Sequence, residues 1–482
     1  MADGDLARLF HRLTSYEPGR EWDDAMDDPW LVTSFEPNDM ERIPPPVKEL
    51  PPELPVIQLP RTLPSADPST LEALGGRVPA AAATLDLPNL ARLLYLSAGV
   101  VRTTVGKSGY THLFRAAGSA GGRFPLEVYV VVPDGTESLP PGVHSYRPVE
   151  HALAQVAPPP AGAIPALVVT GVPWRTGWRY RERGYRHVFW DAGTMLSQVL
   201  ALASSAGLGA RLYTAFPDLE LRDLVGADGL TELPVAVVSL GEGDPGWIAA
   251  GRGAGGSIDS APVHFPLVSA AHWAGIGTQW GEPWNPGEPV EGSLPEARTV
   301  DETVYRRSST RRLDPSQGIP REALDAALGV SLRGIDVPHF VVVHDVGALE
   351  PGVYRWPDLT RPVAAGELRA ELRRVALGQG LAGDAAFVVI GAADLASISD
   401  RGYRDVQLAA GLVEGRLHLA AYALGYGASG MTFRDSEIPA LLRDDLEGLL
   451  FTCVGVPEVA NKRAGPPGEP TPFRQVMPRL DE

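Results

Sequence analysis

The chain has 482 residues, 44% of them hydrophobic and 21% charged, which is the composition of an ordinary globular protein able to form two domains or one large one. Its formal net charge of −17 excludes nucleic acid as the main partner, because phosphate backbones demand a basic surface. The single cysteine, Cys453 in the apolar run 449–454, excludes intramolecular disulfides and a cysteine-rich metal site; it reads as a buried thiol, and no metal is expected.

The chain opens Met1-Ala2-Asp3-Gly4-Asp5, without the basic start and apolar core of a signal peptide, and contains no apolar run long enough to span a bilayer. The expectation is a cytoplasmic protein with no membrane partner. Residues 1–65 read as an arm draped over the body. Pro44, Pro45, Pro46, Pro51, Pro52, Pro55, Pro60 and Pro64 cannot sit inside helices or central strands, although 6–13 suits a short amphipathic helix. His11 has no second ligand nearby and is expected at the surface or as a cap.

From about residue 66 the pattern alternates helix and strand. Apolar spacing predicts a helix over 87–96, with Pro88 tolerated in its first turn. Strands are predicted at 126–132, 166–170 and 233–241, and a long apolar helix over 191–208. The stretch 246–299, rich in Gly and Pro, reads as a linker held against a surface by Trp273, Trp280 and Trp284. Its run 251–256 lacks the Lys-Ser/Thr ending and the strand-to-helix context of a phosphate loop.

Residues 300–482 repeat the order of 66–245. Arg183-Gly184-Tyr185-Arg186 recurs as Arg401-Gly402-Tyr403-Arg404, and Gly193, Gly207 and Gly209 recur as Gly411, Gly425 and Gly427, all at an offset of 218. The strand 129–132 recurs as 340–343, and 235–241 as 449–455. So many landmarks in one order indicate a tandem duplication.

Just inside the second copy lies Arg306-Arg307-Ser308-Ser309-Thr310-Arg311-Arg312, followed by a predicted helix at 320–328. Forked guanidinium donors beside hydroxyls suit a small anion, and a solvated basic turn is the competing reading. In the first copy the stretch aligns with Gly75-Gly76-Arg77-Val78-Pro79, where nearly all these groups are gone. Conversely, the turn 118–122 before the strand at 126 has no equivalent in the second copy, which carries 332–338 instead. A two-fold dimer builds interface sites from both subunits. Fusion followed by decay of one site would distribute the surviving parts in this way.

Arg-x-Ser-x-Arg-x-Leu before a helix, together with Ser-Ala-Gly-Gly-x-Phe-Pro before a strand, resembles the nitroreductase-like flavoprotein family. More narrowly, the chain is similar to the azoline dehydrogenases of thiazole- and oxazole-containing peptide biosynthesis. The resemblance implies an α+β (α/β sandwich) fold in two fused copies forming a pseudo-dimer, with one FMN per chain and further oligomerisation left open. It implies that Arg307, Ser309 and Arg311 hold the FMN, with Arg306 as a helper. Ser119, Ala120, Gly121 and Gly122 would reach the cofactor from the other copy, with Gly430 and Met431 beside the ring and Lys462 and Arg463 on the phosphate. The family's Lys-Tyr pair falls on Arg179 and Tyr180. Arginine is effectively always protonated and is no ordinary general base, so it would act on Tyr180 or on a developing anion.

The function implied is oxidation of azolines in a ribosomally made precursor peptide, with a cyclodehydratase complex as partner. Two alternatives stand beside it. One is a nitro- or ene-reductase supplied by NAD(P)H; the other is a flavin-less scaffold of a peptide-modifying complex.

Overall fold

Two long helices, Gly184–Ser205 and Asp400–Ala423, cross at the centre of the molecule and are almost wholly buried. The protein is described here from a computed structural model covering residues 2–17, 38–80, 83, 85–106, 109–241, 243–247 and 251–479; residues 18–37 of the expected arm lie outside it. Gly193 and Gly411 form the crossing point. A Cβ on Gly411 would stand 2.5 Å from the Trp190 carbonyl oxygen, and one on Gly193 would meet the Gly411 backbone. The first long helix begins at Gly184, earlier than the predicted start at 191. Its opening turns carry Tyr185 and Arg186, whose polar groups are satisfied by His272, by Asp435 and by the end of the N-terminal helix, a tertiary effect that local apolarity does not report.

Each half carries an antiparallel sheet, and the two sheets share one strand order. In the first, Gly142–Arg147, Leu126–Val132, Ala166–Gly171, Leu233–Leu240 and Ala210–Tyr213 are successive neighbours. In the second the same sequence of places is taken by Gly352–Arg355, His339–Val343, Phe387–Ala393, Glu447–Gly455 and Gly427–Met431. Pro234 is accommodated inside a strand because the register slips between Val169 and Thr170, opposite it. The fold is therefore two copies of one α+β unit in one chain. Cys453 lies fully buried in the second sheet, where burial pushes its thiol pKa up.

The pseudo-two-fold axis extends into polar groups. Arg183 and Arg186 clasp Asp435 at 2.7 and 2.6 Å, while their counterparts Arg401 and Arg404 clasp Asp218 at 2.5 and 3.0 Å. His11, on helix Asp5–Leu13, meets Tyr403 Oη at 3.2 Å; His272, on helix Pro266–Ala274, meets Tyr185 Oη at 3.1 Å. Arg186 donates to the His11 carbonyl and Arg404 to that of His272. His11 is thus buried, against expectation, with Nδ1 on Tyr403 and its carbonyl accepting from Arg186, while Nε2 has no hydrogen-bond partner among the described residues. Trp273 and Trp284 anchor their stretch by donating to the carbonyls of Gly229 and Gly334, and Trp280 packs on Tyr213 and Trp247.

The capped helices Thr70–Leu74 and Val300–Arg306 also face each other. Their N-caps Ser69 and Thr299 form a bridge, and Thr70 bonds Thr303 at 2.8 Å. Counted from those caps, Arg77 is the counterpart of Arg307, a register two residues away from the sequence alignment, which had no fixed point this close. A third, small sheet joins the halves: Thr471–Pro472 runs parallel to Val100–Val105, which pairs with Thr111–Arg115.

Candidate functional site

Where the segment after Val300–Arg306 meets the turn 118–122, the halves enclose a cavity of about 780 Å³ measured to its open mouth. Arg307, Ser309 and Arg311 line one wall, with Gly118, Ser119 and Gly122 opposite.

Arg307 is the best-defined member. It is buried, its Nε donates to the Ala116 carbonyl at 3.0 Å, and its own carbonyl accepts from Arg102 at 2.9 Å. Its Nη1 has no hydrogen-bond partner among the described residues. A Cβ on Gly118 would stand 3.4 Å from that atom, so glycine leaves the space beside it open. An orphaned buried guanidinium donor is costly, and an anionic acceptor in the cavity would complete it. Burial, with Arg307 beside it, lowers Arg102 to about 10, and burial lowers Arg115 to about 10. Their cationic forms pay for desolvation that a bound anion would offset.

The turn is held as a tight unit. Gly122 N–H donates to the Ser119 carbonyl, and Gly121 and Gly122 adopt φ of 59° and 65°, the left-handed region that glycine tolerates. A Cβ on Gly121 would lie 2.7 Å from Arg179 Cδ and 2.8 Å from Tyr180 Oη. The turn therefore rests directly on Arg179 and Tyr180, both of which are electrostatically coupled to Arg311. Tyr180 in turn lies flat on His187, ring centroids 4.0 Å apart. Burial, with Arg183 and Arg186 nearby, holds the His187 imidazole well below its ordinary pKa, so the supporting ring is neutral.

The remaining sequence-named residues stand further back. Arg306 is exposed and paired with Glu302, which also holds Arg463 at 2.9 Å; neither arginine lines the cavity. Lys462 is exposed, and its carbonyl accepts from Arg102 at 3.1 Å. Gly430 and Met431 lie on the strand Gly427–Met431, where Gly430 abuts Glu414. Ala120 contributes its backbone N–H to Asp191.

Several lining or supporting residues carried no sequence signal. Arg102, Phe114 and Arg115 come from the small sheet, and Phe473 to Val476 come from the tail. Phe473 packs edge-to-face on Phe114 at 5.0 Å. Beneath Arg307, Glu414 bonds Thr194 and stands 2.8 Å from His418. Burial would raise Glu414, but His418, Thr194 and Arg307 together hold it below the usual carboxylate range.

On the opposite side, the equivalent space is filled. Arg333 donates to the carbonyls of Leu74 and Gly287, and its guanidinium lies where a Cβ on Gly76 would be, 2.7 Å away. Arg77 donates to the Gly292 carbonyl at 2.8 Å.

No protein-family model matches the chain. A protein of Methanocaldococcus jannaschii named as a nitroreductase, MJ1384, is 30% identical over 145 residues, spanning 27% of this chain and 70% of that protein. The chain belongs to the nitroreductase family. The microcin B17-processing protein McbC of Escherichia coli is 25% identical over 143 residues, 26% of this chain; the chain spans about half, 53%, of that relative. A crystal structure from Anabaena variabilis, also named as a nitroreductase, superposes with a TM-score of 0.71 at 26% identity. It covers 94% of this chain and 99% of its own, so the match to this nitroreductase fold includes both halves.

Proposed function

We propose that this nitroreductase-family oxidoreductase uses FMN to oxidise thiazoline or oxazoline rings in a ribosomally made peptide to thiazoles or oxazoles. The observation that carries the flavin assignment is buried Arg307, which lines a cavity walled by both halves and whose Nη1 has no hydrogen-bond partner among the described residues. Arg307, Ser309 and Arg311 would hold the cofactor, with the backbone of 118–122 against it. When bound, FMN accepts a hydride.

Aromatising an azoline removes a hydride from one ring carbon and a proton from the other. Tyr180 would take the proton; it does not itself line the cavity, but it touches the turn that does, and its ring stacks on His187. The Arg179 guanidinium lies 5.8 Å over the Tyr180 ring and would favour the phenolate that accepts the proton. Dioxygen is the proposed final electron acceptor. The similarity to McbC favours a peptide substrate and a synthetase-type partner complex.

The second reading is a nitro- or ene-reductase fed by NAD(P)H. It is favoured by the archaeal relative and by arginine at position 179, where the azoline dehydrogenases that the sequence resembles have lysine. Mass spectrometry of an azoline peptide incubated with FMN-loaded protein separates the two. Loss of two hydrogens per ring supports the dehydrogenase; an unchanged peptide alongside rapid NAD(P)H consumption with a nitroarene overturns it.

A further inference from the structure

Asp191 projects from the first long helix toward the turn, and both its carboxylate oxygens are used there. Ser119 Oγ donates to Oδ2 at 2.5 Å, and the Ala120 N–H donates to Oδ1 at 2.9 Å. Ser119 Oγ meanwhile accepts the Phe124 N–H at 2.7 Å, closing the turn on its far side. We propose that Asp191 is the positioning residue of the cofactor-facing turn, its ionised carboxylate fixing the backbone of 118–122 against the cavity.

Two observations support this, and the titration of the acid makes it testable. Asp191 is 5% exposed, so its two bonds are made away from water, where a charged acceptor counts for more. The repeat supplies a natural control: the offset of 218 places Ala409 at the equivalent position, in the half that also lacks the turn. The acid and the turn it holds were retained, or lost, together. Finally, burial raises Asp191 to about 7, Ser119 and Ala120 act against that rise, and Glu414 on the facing helix adds to it.

The charged groups around it are Glu414 from the second long helix, Arg115 from the strand Thr111–Arg115 across a small cavity, and Arg307 beyond Glu414. With the folded-state value raised, the carboxylate is present above neutrality and protonated below it. The turn is then held at alkaline pH and loosened as pH falls through about 7. The same sign means that ionising Asp191 costs fold stability, so its retention needs a functional reason.

The inference rests on the flavin reading for its purpose, but its test does not. Hydrogen exchange of the cofactor-free protein is compared between wild type and Asp191→Asn at about pH 8 and about pH 5.5, either side of the transition. At the higher pH, segment 118–124 should exchange at least tenfold faster in the variant; at the lower pH the two should coincide. Ser119→Ala should reproduce the loss, and Asp191→Asn should melt no lower than wild type at about pH 8. FMN titration should show affinity about tenfold weaker in D191N at about pH 8 and a wild-type affinity that falls with pH. Equal exchange of wild type and D191N at the higher pH overturns the role of Asp191, whether or not FMN binds. Normal exchange differences with no FMN uptake by wild type instead overturn the flavin reading alone.

Discussion

Gly193 and Gly411, 218 positions apart in sequence, press backbone to backbone where the two long helices cross. The pseudo-two-fold axis passes through this contact, and the cofactor cavity depends on it, because one wall hangs from each half. Alanine is the better helix former by about 1 kcal/mol. Gly193→Ala should nevertheless destabilise the protein by about 2 kcal/mol or more, since a close-packed crossing has no room for a methyl group. A lower denaturant midpoint with reduced FMN content would agree; a midpoint at or above wild type would not.

The arginines divide by site. Arg307→Ala removes a buried cation that lines the cavity, and its flavin content after reconstitution should fall at least tenfold, the scale of one charge-assisted contact of about 1.5–3 kcal/mol. Arg311→Ala should also lose flavin. Arg77→Ala, whose exposed side chain bonds the Gly292 carbonyl away from the cavity, should retain it. Absorbance of bound flavin per chain checks all three.

Much of this division was legible in the sequence. The Arg-Gly-Tyr-Arg tetrapeptides announced the repeat, and the unequal fates of 307–311 and 118–122 placed parts of one site in different halves. What was not legible depended on contacts between segments distant in sequence. Arg102 acquires its place only when the second half supplies the carbonyls of Tyr305, Arg307 and Lys462, and Arg115 when those of Leu126 and Pro46 meet it. Asp191 reads as a polar residue in an apolar helix until Ser119 stands above it. His272 matches His11, but no shared tetrapeptide surrounds them to reveal it.

Acid should unfold the protein through Asp435. Burial alone would raise this carboxyl, but Arg183 and Arg186 outweigh burial and hold it at about 2. A carboxylate depressed in the folded state contributes stability above its unfolded pKa of about 4. That contribution is lost as pH falls from about 4 through about 2. Asp435→Asn leaves two buried guanidinium groups without their counter-charge and should cost about 3–5 kcal/mol at neutral pH, read from urea unfolding.

The tail closes the cavity through Phe473. Phe473→Ala removes its edge-to-face contact with Phe114, worth about 0.5–1.5 kcal/mol beyond area burial. Flavin should dissociate several-fold faster in stopped-flow dilution, with little change in global stability.

The central claim is a single cofactor site per chain, built from both halves, with its counterpart filled by Arg333 and the segment around Gly287. Titration of purified protein with FMN, followed by flavin fluorescence quenching against chain concentration, tests it most directly. The account predicts saturation at one FMN per chain; saturation at two, or no binding, would contradict it.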